Sequence, residues 1–480
     1  MYFLCAALAV AFYLLIAYLQ NGAFGFPLDD AWIHQVYARN LGTRFEFSFF
    51  AGQPSAGSTS PLWAILLSIG YALRIDFRVW TILLGILFLG ASGWMTQRAT
   101  AHLTENARIA AWFAPLLVLL EWHMVWASVS GMEILLFVFL ALALVESFFA
   151  QRGAIYLGLV AGLLTLTRPE GVILVLLIGV GLLYQQRRSL FSVRTVRSLG
   201  LYALTFLVLL TPYLYFNLQT SGTFLPNTFY AKGAEYAALT TQSNFFARWL
   251  AMYRQPLIGA QLLLLPGLFY GAYFFARQKD WTRLLPAAWI LLLPALYAWR
   301  LPVEYQFGRY VMPIIPFVMI YGIVGTKFLF EKIPLRLIRR VWGMTIAVLL
   351  LVFLVLGANL YAQSVAIINC EMVAAAKWTA ANVPAGATIA AHDIGAQGYF
   401  DPQHPMLDLA GLVSPEVIPF IRDELKLKAW MSERGAEYAI FFPTWYPKLA
   451  HDAEFLEIFS TECAVTQRMG EENLKVYLLE

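Results

Sequence analysis

A chain of 480 residues that is 60% hydrophobic and 13% charged carries about half the charge of an ordinary soluble domain, which excludes a soluble globular protein. Its net charge of +4 is small and its Arg and Lys gather in short loops, a pattern of membrane orientation that excludes a nucleic-acid binder. Eleven apolar runs are predicted to cross the membrane: Tyr2–Leu19, Val79–Thr96, Ile109–Ala127, Ile134–Phe149, Ile155–Leu166, Val172–Tyr184, Leu199–Phe216, Pro256–Phe275, Leu284–Trp299, Tyr310–Phe328 and Val341–Tyr361. Several fall short of the ~20 residues of a full crossing, so their ends are soft. The first lacks a basic n-region and a small-residue cleavage site and reads as a retained anchor. Pro61–Leu73 is apolar but short and opens on Pro; it reads as a helix lying in the outer interface or partly inserted.

Three basic clusters set the orientation: Arg187, Arg188, Arg194 and Arg197; then Arg277, Lys279 and Arg283; then Lys327, Lys332, Arg336, Arg339 and Arg340. Placing all three in the cytoplasm puts the N-terminus inside and both the 21–77 loop and the last ~110 residues outside. The polar exceptions near the spans then fall on the outer side: Glu133, Arg168 and Glu170, Asn227 and Lys232, Glu304 and Arg309. Convergence on one face is what an active-site cavity needs.

Asp29 and Asp30 open the first outer loop, ahead of Trp32, Ile33, Val36, Tyr37 and Leu41 at helical spacing. This predicts an amphipathic helix on the membrane surface with two acids at its start. The acids either cap that helix or supply a general base that takes the proton of an acceptor hydroxyl. The stretch Gln53–Trp63 reads as a turn-rich connector whose small hydroxyl residues are also suited to line a sugar pocket. Glu133, after Ser130-Gly131-Met132, is either a helix cap or a group that positions an acceptor or completes a metal site. Arg168-Pro169-Glu170 breaks a long apolar stretch; the pair either tolerates the break or presents a cation to a lipid-linked phosphate. Arg309, next to Tyr310, and Lys232, beyond Asn227, are the best phosphate-binding candidates, because a leaving phosphate gains most from cations in a water-poor site.

After Tyr361 hydropathy falls. Strand-like runs at Thr388–Ala391, Tyr438–Phe442 and Lys475–Leu479, with a helical stretch at Pro419–Trp430, predict a small α/β domain over 366–480 beyond a membrane domain of 1–365. His392-Asp393-Ile394-Gly395 reads as a strand end with a Gly-rich turn, or as an acceptor contact. Cys370 and Cys463 are free to pair or not in an exported domain, and no spacing fits a zinc site.

In order along the chain come the acidic pair with Tyr-Ala-Arg-Asn-Leu at 29–41, Thr-Ser-Pro-Leu-Trp at 59–63 and Ser-Gly-x-Glu at 130–133. Arg-Pro-Glu-Gly at 168–171, Pro-Asn-Thr-x-Tyr-Ala-Lys at 226–232 and Arg-Tyr-x-x-Pro at 309–313 follow. This set resembles the bacterial GT-C glycosyltransferases that take a sugar from a polyprenyl-phosphate carrier, most of all the mycobacterial-type terminal arabinofuranosyltransferases and related family 39-like enzymes. The resemblance implies a mainly α polytopic GT-C fold, a base from the first outer loop (Asp29 or Asp30), a lipid phosphate held by Arg or Lys, and inverting transfer. Members differ on metal; here metal-independent transfer is expected, with a divalent cation still possible. The expectation is thus a bacterial plasma-membrane enzyme moving arabinofuranose, mannose or a similar sugar to a glycan, lipid or protein. Asp29 and Asp30 would be catalytic, and Glu133, Arg168, Glu170, Asn227, Lys232, Arg309, Tyr310 and His392 would contact substrate. A transporter of lipid-linked sugars is the competing reading; it predicts internal repeats and mid-membrane binding residues, and neither is visible.

Overall fold

The computed structural model describes residues 1–104, 108–332 and 336–480. Among the described residues, six helices are long and apolar enough to cross a membrane: Tyr2–Asn21, Phe77–Thr104, Val193–Ser221, Trp281–Arg300, Tyr305–Lys332 and Arg336–Asn382. The pair Trp112–Leu120 and Trp122–Val129, bent by 55°, makes a seventh if counted as one span. The protein is therefore a multi-pass membrane protein.

The other predicted spans are also helical but differ from full crossings. Ile134–Phe149, Ala154–Thr167 and Val172–Gln185 are short helices, and the run at 256–275 breaks into a 3-10 turn, Ala260–Leu264, and a helix, Leu265–Arg277. Breaks at membrane depth survive where protein buries them and satisfies the freed backbone groups. At the 55° bend the Glu121 carboxylate accepts from the Met124 amide at 3.0 Å and lies 2.6 Å from His123 Nδ1. Ile134–Phe149 is buried along nearly its whole length, so its continuous apolar character serves the bundle core and not lipid. Pro61–Ala72 buries Trp63, Ala64 and Leu67 while Ile65 and Ile69 stay exposed.

The C-terminal stretch forms a five-stranded sheet. After a short hairpin in the first loop, β1 (Ser48–Phe50) with β2 (Gln53–Pro54), come β3 (Ile389–Ala391), β4 (Met406–Asp408), β5 (Tyr438–Phe441), β6 (Phe455–Ser460) and β7 (Lys475–Leu479), in the order β4-β3-β5-β7-β6. β3 runs parallel to β4 and β5, and β7 antiparallel to β5 and β6. The period-2 alternation sorts the side chains. Ile389, Ala391, Ile440 and Val476 face Ile33, Val36 and Tyr37 of the first loop, whereas Ala390, Ala439, Phe441 and Tyr477 pack on Leu427 and Met431. The helix expected at Pro419–Trp430 starts later, at Glu424, where Asp423 accepts from the Lys426 amide; Pro419 lies in a 3-10 turn, Pro415–Phe420, because it has no N–H for a helical ladder.

The last span carries the sheet. Arg336–Ile368 runs on through a π turn, Asn369–Val373, into Ala374–Asn382. Cys370 in that turn is disulfide-bonded to Cys463 with a Cα–Cα distance of 5.6 Å. Beside it the buried Glu371 accepts from Asn473 Nδ2 at 2.8 Å, from the Leu474 amide at 2.9 Å and from the Thr461 hydroxyl. The sheet is thus fixed to the bundle at the point where the chain leaves it.

Candidate active site

The helix Asp30–Arg44 is not an amphipathic surface helix. Residues Ala31–Ala38 and Asn40 are all buried, because the sheet covers Ile33, Val36 and Tyr37 while the helices Pro61–Ala72 and Phe77–Thr104 and the first-loop hairpin meet the polar side. Its polar residues have specific partners instead. Gln35 donates to Thr81 at 3.0 Å and accepts from Tyr71 at 2.9 Å, and Asn40 donates to the carbonyls of Ser48 and Phe49.

The two acids part company. Asp29 makes no side-chain cap on its own helix; its oxygens accept from the amides of Gly395 at 2.7 Å and Ala396 at 2.8 Å. Burial pushes its carboxyl up to about 7 against the pull of those amides, and the Asp30 charge adds to the rise. Asp30 instead lines a cavity of about 340 Å³ with Ile33, Glu133, Phe229, Leu296 and Tyr310. Its Oδ2 lies 3.4 Å from Lys232 Nζ and is paired with Arg309 Nη2. Burial opposes its ionisation, but Lys232 and Arg309 outweigh burial and hold the carboxyl well below the ordinary carboxylate range. Burial likewise opposes the charge on Lys232, and Asp30 reverses that, lifting its value. The Tyr310 oxygen accepts from Lys232 at 3.1 Å and from Arg309 at 3.2 Å.

Arg309 is set by an unusual backbone. Gln306, Phe307 and Gly308 precede it at φ 54, 59 and 66, a left-handed run that costs the two side-chain-bearing residues of order 1 kcal/mol each. Phe307 wedges against Trp122 and Trp126, with ring centroids 5.6 and 5.4 Å away, which holds the turn. Arg309 is only 3% exposed, and its Nε and Nη1 have no hydrogen-bond partner among the described residues. A buried guanidinium with two unmet nitrogens is poised for an anion.

Arg168 is differently placed. It lines the cavity, but its Nε donates to Glu170 at 2.6 Å, its Nη1 to Glu133 at 3.0 Å and its Nη2 to the Tyr297 oxygen at 2.9 Å. The Tyr297 hydroxyl in turn donates to Glu170, and His34 Nε2 lies 3.1 Å from Glu133. Arg168 thus lines the cavity from within an ion network that meets the charges at the Pro169 break. Glu133 occupies the cap position of Ile134–Phe149 without capping it; Gly131, at φ +77, has Phe26 and Ala31 where a Cβ would sit and makes the turn that aims Glu133 inward.

Two further expected residues lie outside the cavity lining. Asn227 is buried outside the cavity wall, its backbone amide bonded to the Ala56 carbonyl at 2.9 Å, and the neighbouring Thr228 lines the cavity instead. His392 does not reach the cavity either; its Nδ1 lies 2.6 Å from the Tyr446 oxygen and its Nε2 3.8 Å from Glu235. Of the connector, Gly57, Ser58 and Thr59 form part of the wall. His34, Tyr297 and Arg300 also line it and were not anticipated; His34 stands four residues after Asp30, the spacing that shares a helix face. Among the described residues no three His, Cys, Asp or Glu side chains gather to hold a metal.

A family model described as a domain of unknown function (DUF8728) matches residues 358–477, and no curated protein matches the chain in sequence. In structure the chain is similar to ArnT from Cupriavidus metallidurans bound to undecaprenyl phosphate. The match has a TM-score of 0.63 at 14% identity and covers 99% of this chain and 97% of that one. It is also similar to the oligosaccharyltransferase AglB from Archaeoglobus fulgidus in complex with an inhibitory peptide and a dolichol-phosphate, with a TM-score of 0.60 at 11% identity, covering 92% and 69%. The arabinofuranosyltransferase AftD from Mycobacteria aligns over 99% of this chain but 40% of its own, at 15% identity and a TM-score of 0.48, too low to favour arabinofuranose. The chain has the fold of the GT-C glycosyltransferases.

Proposed function

We propose that this protein is an inverting glycosyltransferase of the bacterial plasma membrane, with its N-terminus in the cytoplasm and its cavity and C-terminal sheet outside. It moves arabinofuranose, mannose or a similar sugar from a polyprenyl-phosphate donor to an extracytoplasmic glycan, lipid or protein. The observation that carries the reading is Arg309: buried, two donors unmet, beside Lys232 in a cavity whose wall also carries Ile33, Leu225, Phe229, Leu296 and Leu301. Apolar walls suit a prenyl chain, and the two cations suit its phosphate.

Asp30 takes the proton of the acceptor hydroxyl as that oxygen forms a bond to the anomeric carbon. The bond from that carbon to the phosphate oxygen breaks with its electron pair on the oxygen, and Arg309 and Lys232 stabilise the charge that develops. A carboxylate tied to two cations is a weak base. Donor phosphate competes for those cations and brings a negative charge alongside, so Asp30 gains basicity when the donor is seated.

Binding of undecaprenyl phosphate tests the site. Arg309→Met is expected to weaken it about 10- to 100-fold, the worth of lost charge-assisted hydrogen bonds; unchanged affinity contradicts the assignment. Because Arg309 and Lys232 do what a metal would, transfer is expected to survive EDTA with less than about a twofold change, whereas a loss restored by added Mn²⁺ or Mg²⁺ would assign the cavity a metal.

A further inference from the structure

Asp29 and the turn after β3 remain outside the chemistry just described, yet they hold each other with unusual specificity. Both Asp29 oxygens accept backbone amides, of Gly395 and Ala396. Ten residues on, Arg39 donates to the carbonyls of Tyr399 at 2.8 Å and Gly398 at 3.0 Å, with its guanidinium 4.9 Å from the Tyr399 ring. The short helix Gly395–Phe400 is therefore gripped at its amide end by a carboxylate and at its carbonyl end by a guanidinium, both from the helix that carries Asp30. Trp32 packs between them on Tyr399 and Phe400, with ring centroids 4.9 and 4.7 Å away. The approach leaves no space: a Cβ on Gly395 would lie 2.1 Å from the Asp29 carbonyl oxygen.

We propose that Asp29 and Arg39 are positioning residues: they clamp Gly395–Phe400 of the C-terminal sheet domain onto the Asp30 helix and so fix where Asp30 meets the acceptor. The acid pair then divides its labour, one carboxylate facing substrate and its neighbour fastening the domain. This inference rests on Asp30 as the base.

Turnover is followed as polyprenyl phosphate released from a total lipid extract of the producing cells, beside undecaprenyl phosphate affinity and hydrogen exchange at residues 392–401 in the full-length protein. Asp29→Asn and Arg39→Met should each lower kcat about 10- to 100-fold, the effect of shifting a catalytic group by about 1 Å. Carrier affinity should stay within about twofold, because Arg309 and Lys232 are untouched. Both variants should expose the Gly395 and Ala396 amides to exchange, and the double variant should lose no more than about the larger single loss, since both break one docking. Arg39→Lys, which keeps one carbonyl bond, should recover part of the rate and so separates positioning from misfolding. The proposal is overturned if Asp29→Asn abolishes transfer with those amides still protected and Arg39→Met at full rate, which would make Asp29 the base. Full activity in both variants overturns it too. Full activity in Asp30→Asn sinks the proposed function instead, so the two failures are distinct.

Discussion

Asp30→Asn is expected to lower turnover by about 10²–10⁴-fold while the protein still folds and binds its carrier. The amide keeps the shape of the side chain and one acceptor oxygen, so Lys232 and Arg309 retain a hydrogen-bond partner in the cavity. What is lost is the proton acceptor. The same change leaves two buried cations with less negative charge beside them, so affinity for undecaprenyl phosphate should hold or rise as turnover falls. Opposite signs in rate and affinity are hard to obtain by general damage. A variant that lost both together would place Asp30 in carrier binding and leave the base unassigned.

Arg168→Met should cost about 3–5 kcal/mol of stability, because it strands Glu133 and Glu170 as buried carboxylates without their cation. The Arg168, Glu133 and Glu170 side chains are 9%, 4% and 11% exposed, well inside the range where removing one partner is severe. Thermal unfolding in detergent gives the loss. Adding Glu133→Gln and Glu170→Gln to the same chain should recover part of it, since neutral groups are cheaper to bury than unpaired charges. A loss below about 1 kcal/mol, the size typical of a solvated pair, would mean that water reaches this network.

The sequence was legible wherever the physics is local. Apolar runs marked the helices, and loop charge sorted Asp30, Lys232 and Arg309 onto one side, where they meet although Asp30 and Arg309 are 279 residues apart. Three of the five C-terminal strands show as strand-like runs, whereas Met406–Asp408 and Phe455–Ser460 do not. Illegible were the roles that depend on distant partners. Nothing near Asp29 reveals that its oxygens bind amides 366 and 367 residues away, so the acid pair read as one site. Arg168 and Arg309 look alike as outward arginines beside a helix break. They differ because Glu133 and Tyr297, 35 and 129 residues from Arg168, occupy one guanidinium and leave part of the other unmet. The helix at 30–44 reads as amphipathic because hydropathy cannot show that a sheet formed 350 residues later covers Ile33, Val36 and Tyr37, or that Gln35 and Asn40 meet buried partners on the other elements.

Release of free polyprenyl phosphate from a polyprenyl-phosphate sugar, followed in proteoliposomes of the wild-type chain and of Asp30→Asn, tests the central claim most directly. Carrier phosphate should appear with the wild type only when acceptor is present, and fall by about 10²-fold or more with Asp30→Asn. Intact donor appearing in the opposite leaflet, with its sugar still attached and no free carrier phosphate, would contradict the account and make the chain a transporter.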